Sequence, residues 1–179
     1  MEPDVVIVMG ASGTGKTTVA TGISTRMGWT FAEGDAFHPQ ANVDKMRAGV
    51  PLTDKDRAPW LRRIGDWISE QVAEGESCVV TCSALKRDYR DVLREGRPQV
   101  RFLHLHDDME LIAARMAARK DHFMMPTLLP SQFATLQMLG PDEPGVVVTV
   151  RDDVPTVIRN SMTALGLTPP DPAGEGVLA

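Results

Sequence analysis

The sequence predicts an α/β fold in which a parallel sheet carries helices on both faces. Three observations predict it. The strand-like segments are short, near-continuous apolar runs, the pattern of strands buried on both sides. They alternate with helical patterns along the chain. The first of them runs through a glycine-rich turn straight into a helix.

Val5 to Met9 is the first strand, ending on Gly10. The following helix places Val19, Ala20, Ile23 and Met27 on one face. Trp29 to Ala32 reads as the second strand, and Pro39 opens a short helix through Met46, with proline in the first turn. Gly49, Pro51, Thr53, Asp54 and Asp56 form a loop before a longer helix whose buried stripe is Trp60, Ile64, Trp67, Ile68 and Val72. Cys78 to Cys82 is the third strand, and Leu85, Tyr89, Val92 and Leu93 mark the next helix. Val100 to Leu105 is the fourth strand; Asp107 or Asp108 caps a helix with Met109, Ile112, Ala113 and Met116 inward. The pattern breaks from Lys120 to Pro130, and a short helix is expected over Ser131–Leu139. Val146 to Val150 is the fifth strand, and Asp152 or Asp153 caps the last helix, with Val154, Ile158, Met162 and Leu165 inward.

The 179 residues suit one domain, expected over 1–167, with the interrupted stretch at about 119–130 read as a lid. Residues 168–179, with three prolines and two glycines and no periodicity, are expected to be a disordered tail. A net charge of −5 argues against a nucleic-acid partner, though not against local basic clusters. Cys78 and Cys82 share one apolar stretch with no metal-ligand spacing around them, so both read as reduced core residues. No secretory leader and no membrane-length apolar run is legible, which makes the cytoplasm the expected location.

Gly10-Ala11-Ser12-Gly13-Thr14-Gly15-Lys16-Thr17 matches G-x-x-x-x-G-K-[ST] between a strand and a helix. The glycines let the backbone curl so that N–H groups point inward at phosphate oxygens, and the helix adds its positive end. Lys16 supplies a charge for the β- and γ-phosphates, and the Thr17 hydroxyl is a ligand for Mg²⁺. These eight residues, with Thr18, are the candidate ATP-binding set. The motif implies nucleotide binding without saying what accepts the phosphate.

Asp35, in Glu33-Gly34-Asp35-Ala36-Phe37-His38-Pro39, lies past the carboxyl end of the second strand, where open α/β sheets bind ligands. A carboxylate there can orient a hydroxyl, take its proton or hold a Mg²⁺ water; the alternative is a turn-forming aspartate beside glycine. His38 is either a site residue or a helix-entry residue. Asp54 and Asp56 read as caps of the long helix. Arg57 sits where the helix dipole disfavours a cation, which hints at an anion partner. Lys86, Arg90 and Arg94 recur at i+4, as a solvated basic face or as a face turned to the site. No Asp ends the third strand to support Mg²⁺, and Asp35 is the obvious substitute. Arg115 and Arg119 end a helix at the root of the interrupted stretch, placed to reach ATP or merely to cap the helix.

Together these residues resemble the gluconate kinase (gluconokinase) family of small P-loop kinases. The matching pieces are Gly10 to Thr17, Gly34-Asp35 with His38-Pro39, Asn42, Lys45-Met46, Gly49 and Pro51-Leu52. They continue with Asp54, Asp56-Arg57, Pro59-Trp60-Leu61, Cys82 to Arg87 and Tyr89-Arg90, then Arg119, His122-Phe123-Met124, Ser131-Gln132-Phe133 and Thr135-Leu136. They run in order up to Leu139. Thr14 and Thr17 stand where serine is common in the family, and both keep the hydroxyl. The resemblance implies a three-layer P-loop kinase with a five-stranded parallel sheet and a lid, which phosphorylates D-gluconate at its 6-hydroxyl with ATP and Mg²⁺. It implies a cytoplasmic homodimer. It puts Lys16, Asp35 and Arg119 in catalysis, Arg115 on ATP, and Asp35, His38, Asn42, Arg57, Lys86, Arg87 and His122 on the substrate. Other small-acceptor kinases, shikimate or nucleoside monophosphate kinases, and a nucleotide-dependent regulatory switch are the competing readings.

Overall fold

The computed structural model describes residues 1–118 and 128–172. Its five strands are β1 (Val5–Met9), β2 (Thr30–Glu33), β3 (Cys78–Thr81), β4 (Val100–His106) and β5 (Gly145–Thr149). They form one parallel sheet in the order β2-β3-β1-β4-β5, so the expected architecture is the one observed. Among the described residues seven α-helices cover it: α1 (Lys16–Met27), α2 (Gln40–Arg47), α3 (Asp54–Ala73), α4 (Arg87–Arg94), α5 (Met109–Ala118), α6 (Leu129–Thr135) and α7 (Val154–Leu165). A 3₁₀ turn, Gly34–Phe37, follows β2. Among the described residues no helix is long and apolar enough to cross a membrane.

The alternation of side chains along β1 divides the core in two. Val6 and Val8 face one cluster with Val19, Ile23, Ile112 and Ile158 from α1, α5 and α7. Val5, Ile7 and Met9 face the other, with Trp60, Ile64, Ile68 and Leu93 from α3 and α4. Every residue of β1 is fully buried, which is why it reads as a continuous apolar run. Cys78 and Cys82 are free, buried thiols, and burial pushes both up to about 12.

Asp153 caps α7 by accepting from the Thr156 amide at 2.8 Å. The start of α3 is a capping box between Thr53 and Asp56, which leaves Asp54 free for other partners. The helix expected over Ser131–Leu139 is displaced: α6 starts at Leu129, with Pro130 in its first turn, and ends at Thr135. Tertiary contacts hold the following stretch out of the helix. The Gln137 amide donates to Leu85 O at 2.7 Å, and Asp142 and Glu143 bind arginines of α4. Of the lid expected at about 119–130, residues 119–127 lie outside the described residues, and Leu129 and Pro130 open α6. Of the expected tail, residues 168–171 carry neither helix nor strand, and 173–179 lie outside the described residues.

Candidate active site

β1 is central in the sheet, so the loop that leaves it, Gly10 to Gly15, sits mid-way along the carboxyl edge. Gly10 and Gly13 adopt φ of +145° and +80°, a region closed to most side chains. Added Cβ atoms would also meet Leu105 O at 2.5 Å and the Met116 side chain at 2.4 Å. The loop closes into α1 at Lys16. The Lys16 ammonium donates to Gly10 O at 3.1 Å and Ala11 O at 3.0 Å. Burial lowers its pKa, and Asp35 and Glu33 nearby oppose that shift. The Thr17 hydroxyl donates to Glu33 Oε2 at 2.7 Å, and the Thr81 hydroxyl donates to Glu33 Oε1 at 2.5 Å. Glu33 thus links the loop to the end of β3.

On the other side of the loop lies an open cleft. Gly13 to Gly15 and Thr18 form one wall; Val19, Val150, Val154 and Val157 give it an apolar lining; Arg115 and Asp152 stand at its polar rim. The Arg115 guanidinium donates to Arg151 O at 2.8 Å and Asp152 O at 3.3 Å, which fastens α5 to the loop after β5. Arg151 in turn pairs with Asp107 at 2.7 Å.

The acceptor-side residues gather past β2 and β3. Gly34 is buried against β3: its amide donates to Thr81 Oγ1 at 3.1 Å, its carbonyl accepts from Trp60 Nε1 at 2.8 Å, and a Cβ there would meet Thr81 O at 1.8 Å. The close approach turns the chain so that Asp35 comes near Lys16 and His38 and remains exposed. His38 stacks on Trp60 with ring centroids 4.3 Å apart. Its Nδ1 is 3.2 Å from Asn42 Nδ2, and the buried Asn42 also donates to Asp56 O at 2.9 Å. Burial lowers the His38 pKa, Asp35 opposes this, and Arg57 adds to it.

Arg57 and Lys86 come from different elements and converge on one carboxylate, Asp54. Lys86 Nζ is 3.2 Å and Arg57 Nη1 3.5 Å from its oxygens, and the Tyr89 hydroxyl also donates to it. Both cations lie over the Tyr89 ring, at 5.7 Å for Arg57 and 5.6 Å for Lys86. The Tyr89 hydrogen bond first, and Lys86 next, hold the Asp54 carboxyl below the usual range.

A phosphate-binding loop, with an open cleft on one side and a cluster of polar and charged side chains past β2 and β3, suits a small-molecule kinase. Residues 5–133 match the AAA domain family model. Gluconokinase of Gluconobacter oxydans is 54% identical over 149 residues, 83% of this chain and 84% of that protein. Thermosensitive gluconokinase of Escherichia coli is 41% identical, with 89% and 86% covered. This chain belongs to the gluconokinase family. Solved structures agree. A sugar kinase from Janibacter sp. HTCC2649 superposes with a TM-score of 0.87 at 50% identity, over 93% of this chain and 96% of that one. A gluconokinase from Sinorhizobium meliloti 1021 does so at 0.82 and 43%, over 92% and 93%.

Within this gluconokinase-family chain, the arginines of α4 depart from the sequence reading. Arg87 lies away from the cluster on Asp54, because its guanidinium makes a two-point pair with Asp142. Arg90 is no part of a solvated face: it is fully buried, with Nε 2.6 Å and Nη2 2.9 Å from the Glu143 carboxylate, and it donates to Ala84 O at 2.9 Å. Arg119 and His122 lie outside the described residues. Sequence reasoning assigned no site role to Glu33 or Tyr89, none to Asp54 or Asp152 beyond capping, and none to the valines of the cleft. A charged residue ending an apolar strand at the carboxyl edge was the available signal for Glu33.

Proposed function

We propose that this chain transfers the γ-phosphoryl group of ATP to the 6-hydroxyl of D-gluconate, giving 6-phospho-D-gluconate and ADP. The observation that carries the reading is the convergence of Arg57 and Lys86 on a carboxylate, that of Asp54, while Asp35, near Lys16 and His38, supplies a separate carboxylate at the same edge of the sheet. A linear sugar acid has a carboxylate at one end and a primary hydroxyl at the other, and it needs cations at one end of its site and chemistry at the other. The gluconokinase names of its relatives support the same substrate.

In this reading Arg57, backed by Lys86, grips the substrate carboxylate, and His38 and Asn42 take hydroxyls along its chain. Asp35 orients the 6-hydroxyl and accepts its proton as that oxygen bonds to the γ-phosphorus. The bond from phosphorus to the β–γ bridging oxygen breaks, and its electron pair leaves with ADP. Lys16 exchanges its two loop carbonyls for phosphate oxygens and stabilises the charge in transfer. Arg115 and the valines hold the nucleoside in the cleft. For Mg²⁺ the donor set fits: the Thr17 hydroxyl and the Glu33 carboxylate are hard oxygen ligands already side by side, to be completed by phosphates and water. Bound there, the ion neutralises charge on the β- and γ-phosphates. Arg87 is left out of the substrate set because Asp142 holds it. The proposal includes a homodimer, which light scattering on the purified chain checks.

The test is ADP release with gluconate, sorbitol, shikimate and nucleoside monophosphates, with ³¹P and ¹³C spectra locating the new ester. Gluconate should be strongly preferred and the ester should sit on carbon 6. Arg57→Ala should raise KM for gluconate on the order of 30-fold or more, from ~2 kcal/mol or more of lost pairing. KM for ATP should hardly move, and the preference over sorbitol should largely disappear. Wild-type turnover of sorbitol as fast as of gluconate would sink the substrate assignment.

A further inference from the structure

The P-loop is held from outside by one side chain distant in sequence. Ser12 donates its main-chain N–H to Gln132 Oε1 at 2.7 Å, and its hydroxyl accepts from Gln132 Nε2 at 2.9 Å. One carboxamide therefore engages both polar groups of a single buried loop residue across 120 positions of sequence. Gln132 stands on α6, which Leu129 anchors in the core. The other ties on the loop are the main-chain bond from Gly10 N–H to Ser83 O at 3.2 Å at its start and, from within, Thr14 Oγ1 to Ala11 O at 2.9 Å and Lys16 Nζ to Gly10 O and Ala11 O.

We propose that Gln132 is a positioning residue for nucleotide binding, which holds the P-loop in its phosphate-receiving shape through Ser12. A loop with positive-φ glycines at 10, 13 and 15 has much freedom to lose, and any ordering left undone is charged against ATP affinity. Two of the internal ties are the ones that Lys16 gives up when it turns to phosphate; of the ties that persist, Gln132 is the side chain that holds the middle of the loop from another element. It also sorts the loop's donors. Among the described residues the N–H groups of Gly13, Thr14 and Gly15 donate to no protein acceptor, while that of Ser12 is taken. Gln132 thereby marks where the anion cradle begins.

The inference rests on the loop's being the nucleotide site, and the controls separate the two. Calorimetric titration of the wild type with ADP tests the site itself; no binding would remove that reading and this inference together. Given wild-type binding, Gln132→Ala should raise Kd for ADP and KM for ATP about tenfold, while KM for gluconate stays within twofold. Gln132→Glu keeps the length and the acceptor for Ser12 N–H but sets a negative charge beside the phosphates, so it should bind ADP more weakly than Gln132→Ala. A purely packing role predicts the reverse order, because glutamate is the closer isostere. Ser12→Ala leaves the main-chain bond intact and should cost about threefold, less than additively with Gln132→Ala. Gln132→Ala with a Kd for ADP within twofold of wild type, or a Glu variant that binds ADP better than the Ala variant, overturns the proposal.

Discussion

At the residue scale, the acceptor pocket turns on what each carboxylate does. Glu33, Asp35 and Asp54 all lie near the phosphate loop or the acceptor cations, yet their neighbours assign them different work. Glu33 accepts from the hydroxyls of Thr17 and Thr81, and Asp54 is bound by Tyr89, Lys86 and Arg57. Asp35 is exposed, as Asp54 is, but of the three it alone has no side chain binding it among the described residues, and it lies near Lys16, as suits a group that must meet a substrate hydroxyl. Asp35→Asn should therefore lower kcat by about 10²–10⁴-fold and leave KM for gluconate within a few-fold. Steady-state kinetics on a variant with unchanged melting temperature checks this, and an unchanged kcat reduces Asp35 to a turn residue. Lys16, Thr17 and Asp35 were legible because the motif and the strand end place them. Glu33 was not, because its role depends on the register that sets it beside Thr81 across the parallel β2–β3 pair.

At the scale of elements, the β3–α4 connection positions Lys86 and is held under strain. Ala84 takes a φ of +45°, which costs a non-glycine residue of order 1–3 kcal/mol. The buried Arg90 reaches back from α4 to its carbonyl while Glu143 neutralises Arg90, so one ion pair closes both α4 and the 136–143 loop onto the site. Removing one partner of such a pair leaves a buried charge unmatched, whereas replacing both with apolar groups need not. Glu143→Ala should cost about 3–5 kcal/mol in urea unfolding and raise KM for gluconate through displacement of Lys86. Arg90→Met combined with Glu143→Leu should recover much of the stability. An exposed, i+4-spaced reading of Lys86, Arg90 and Arg94 was natural from sequence. Periodicity places residues on a face, but only the chain that packs there decides whether the face is wet.

At the scale of the molecule, His104 makes stability depend on pH. It is fully buried on β4, its ring 5.0 Å from that of His106, and among the described residues neither of its nitrogens has a hydrogen-bond partner. Burial first, then the charges of His106, Arg90 and Lys16, push its pKa down to about 4. An unfolded histidine titrates near 6.5, so between those values the unfolded chain binds a proton that the folded chain refuses. Stability is then complete above pH ~6.5 and falls as the pH drops toward 4, by about 3 kcal/mol at one pH unit per ~1.4 kcal/mol. Urea unfolding at pH 7.5 and 5.0 should show the fall, and His104→Leu should remove most of it. Equal slopes for both proteins would show that other groups carry the acid sensitivity.

By itself the sequence determined the α/β class, the five parallel strands, the phosphate loop and the family, because these rest on local patterns: apolar runs of strand length, helical periodicity and contiguous motifs. Only the tertiary structure decided that Arg87 and Arg90 serve Asp142 and Glu143, that Glu33 joins the P-loop to β3, and that Gln132 holds Ser12. It also brought Arg115 to the loop after β5 and thereby outlined the cleft beside the phosphate loop. Each of these joins residues far apart in the chain. A side chain's partner is set by distance after folding, and nothing in its own neighbourhood of sequence encodes which of several carboxylates or carbonyls will be there.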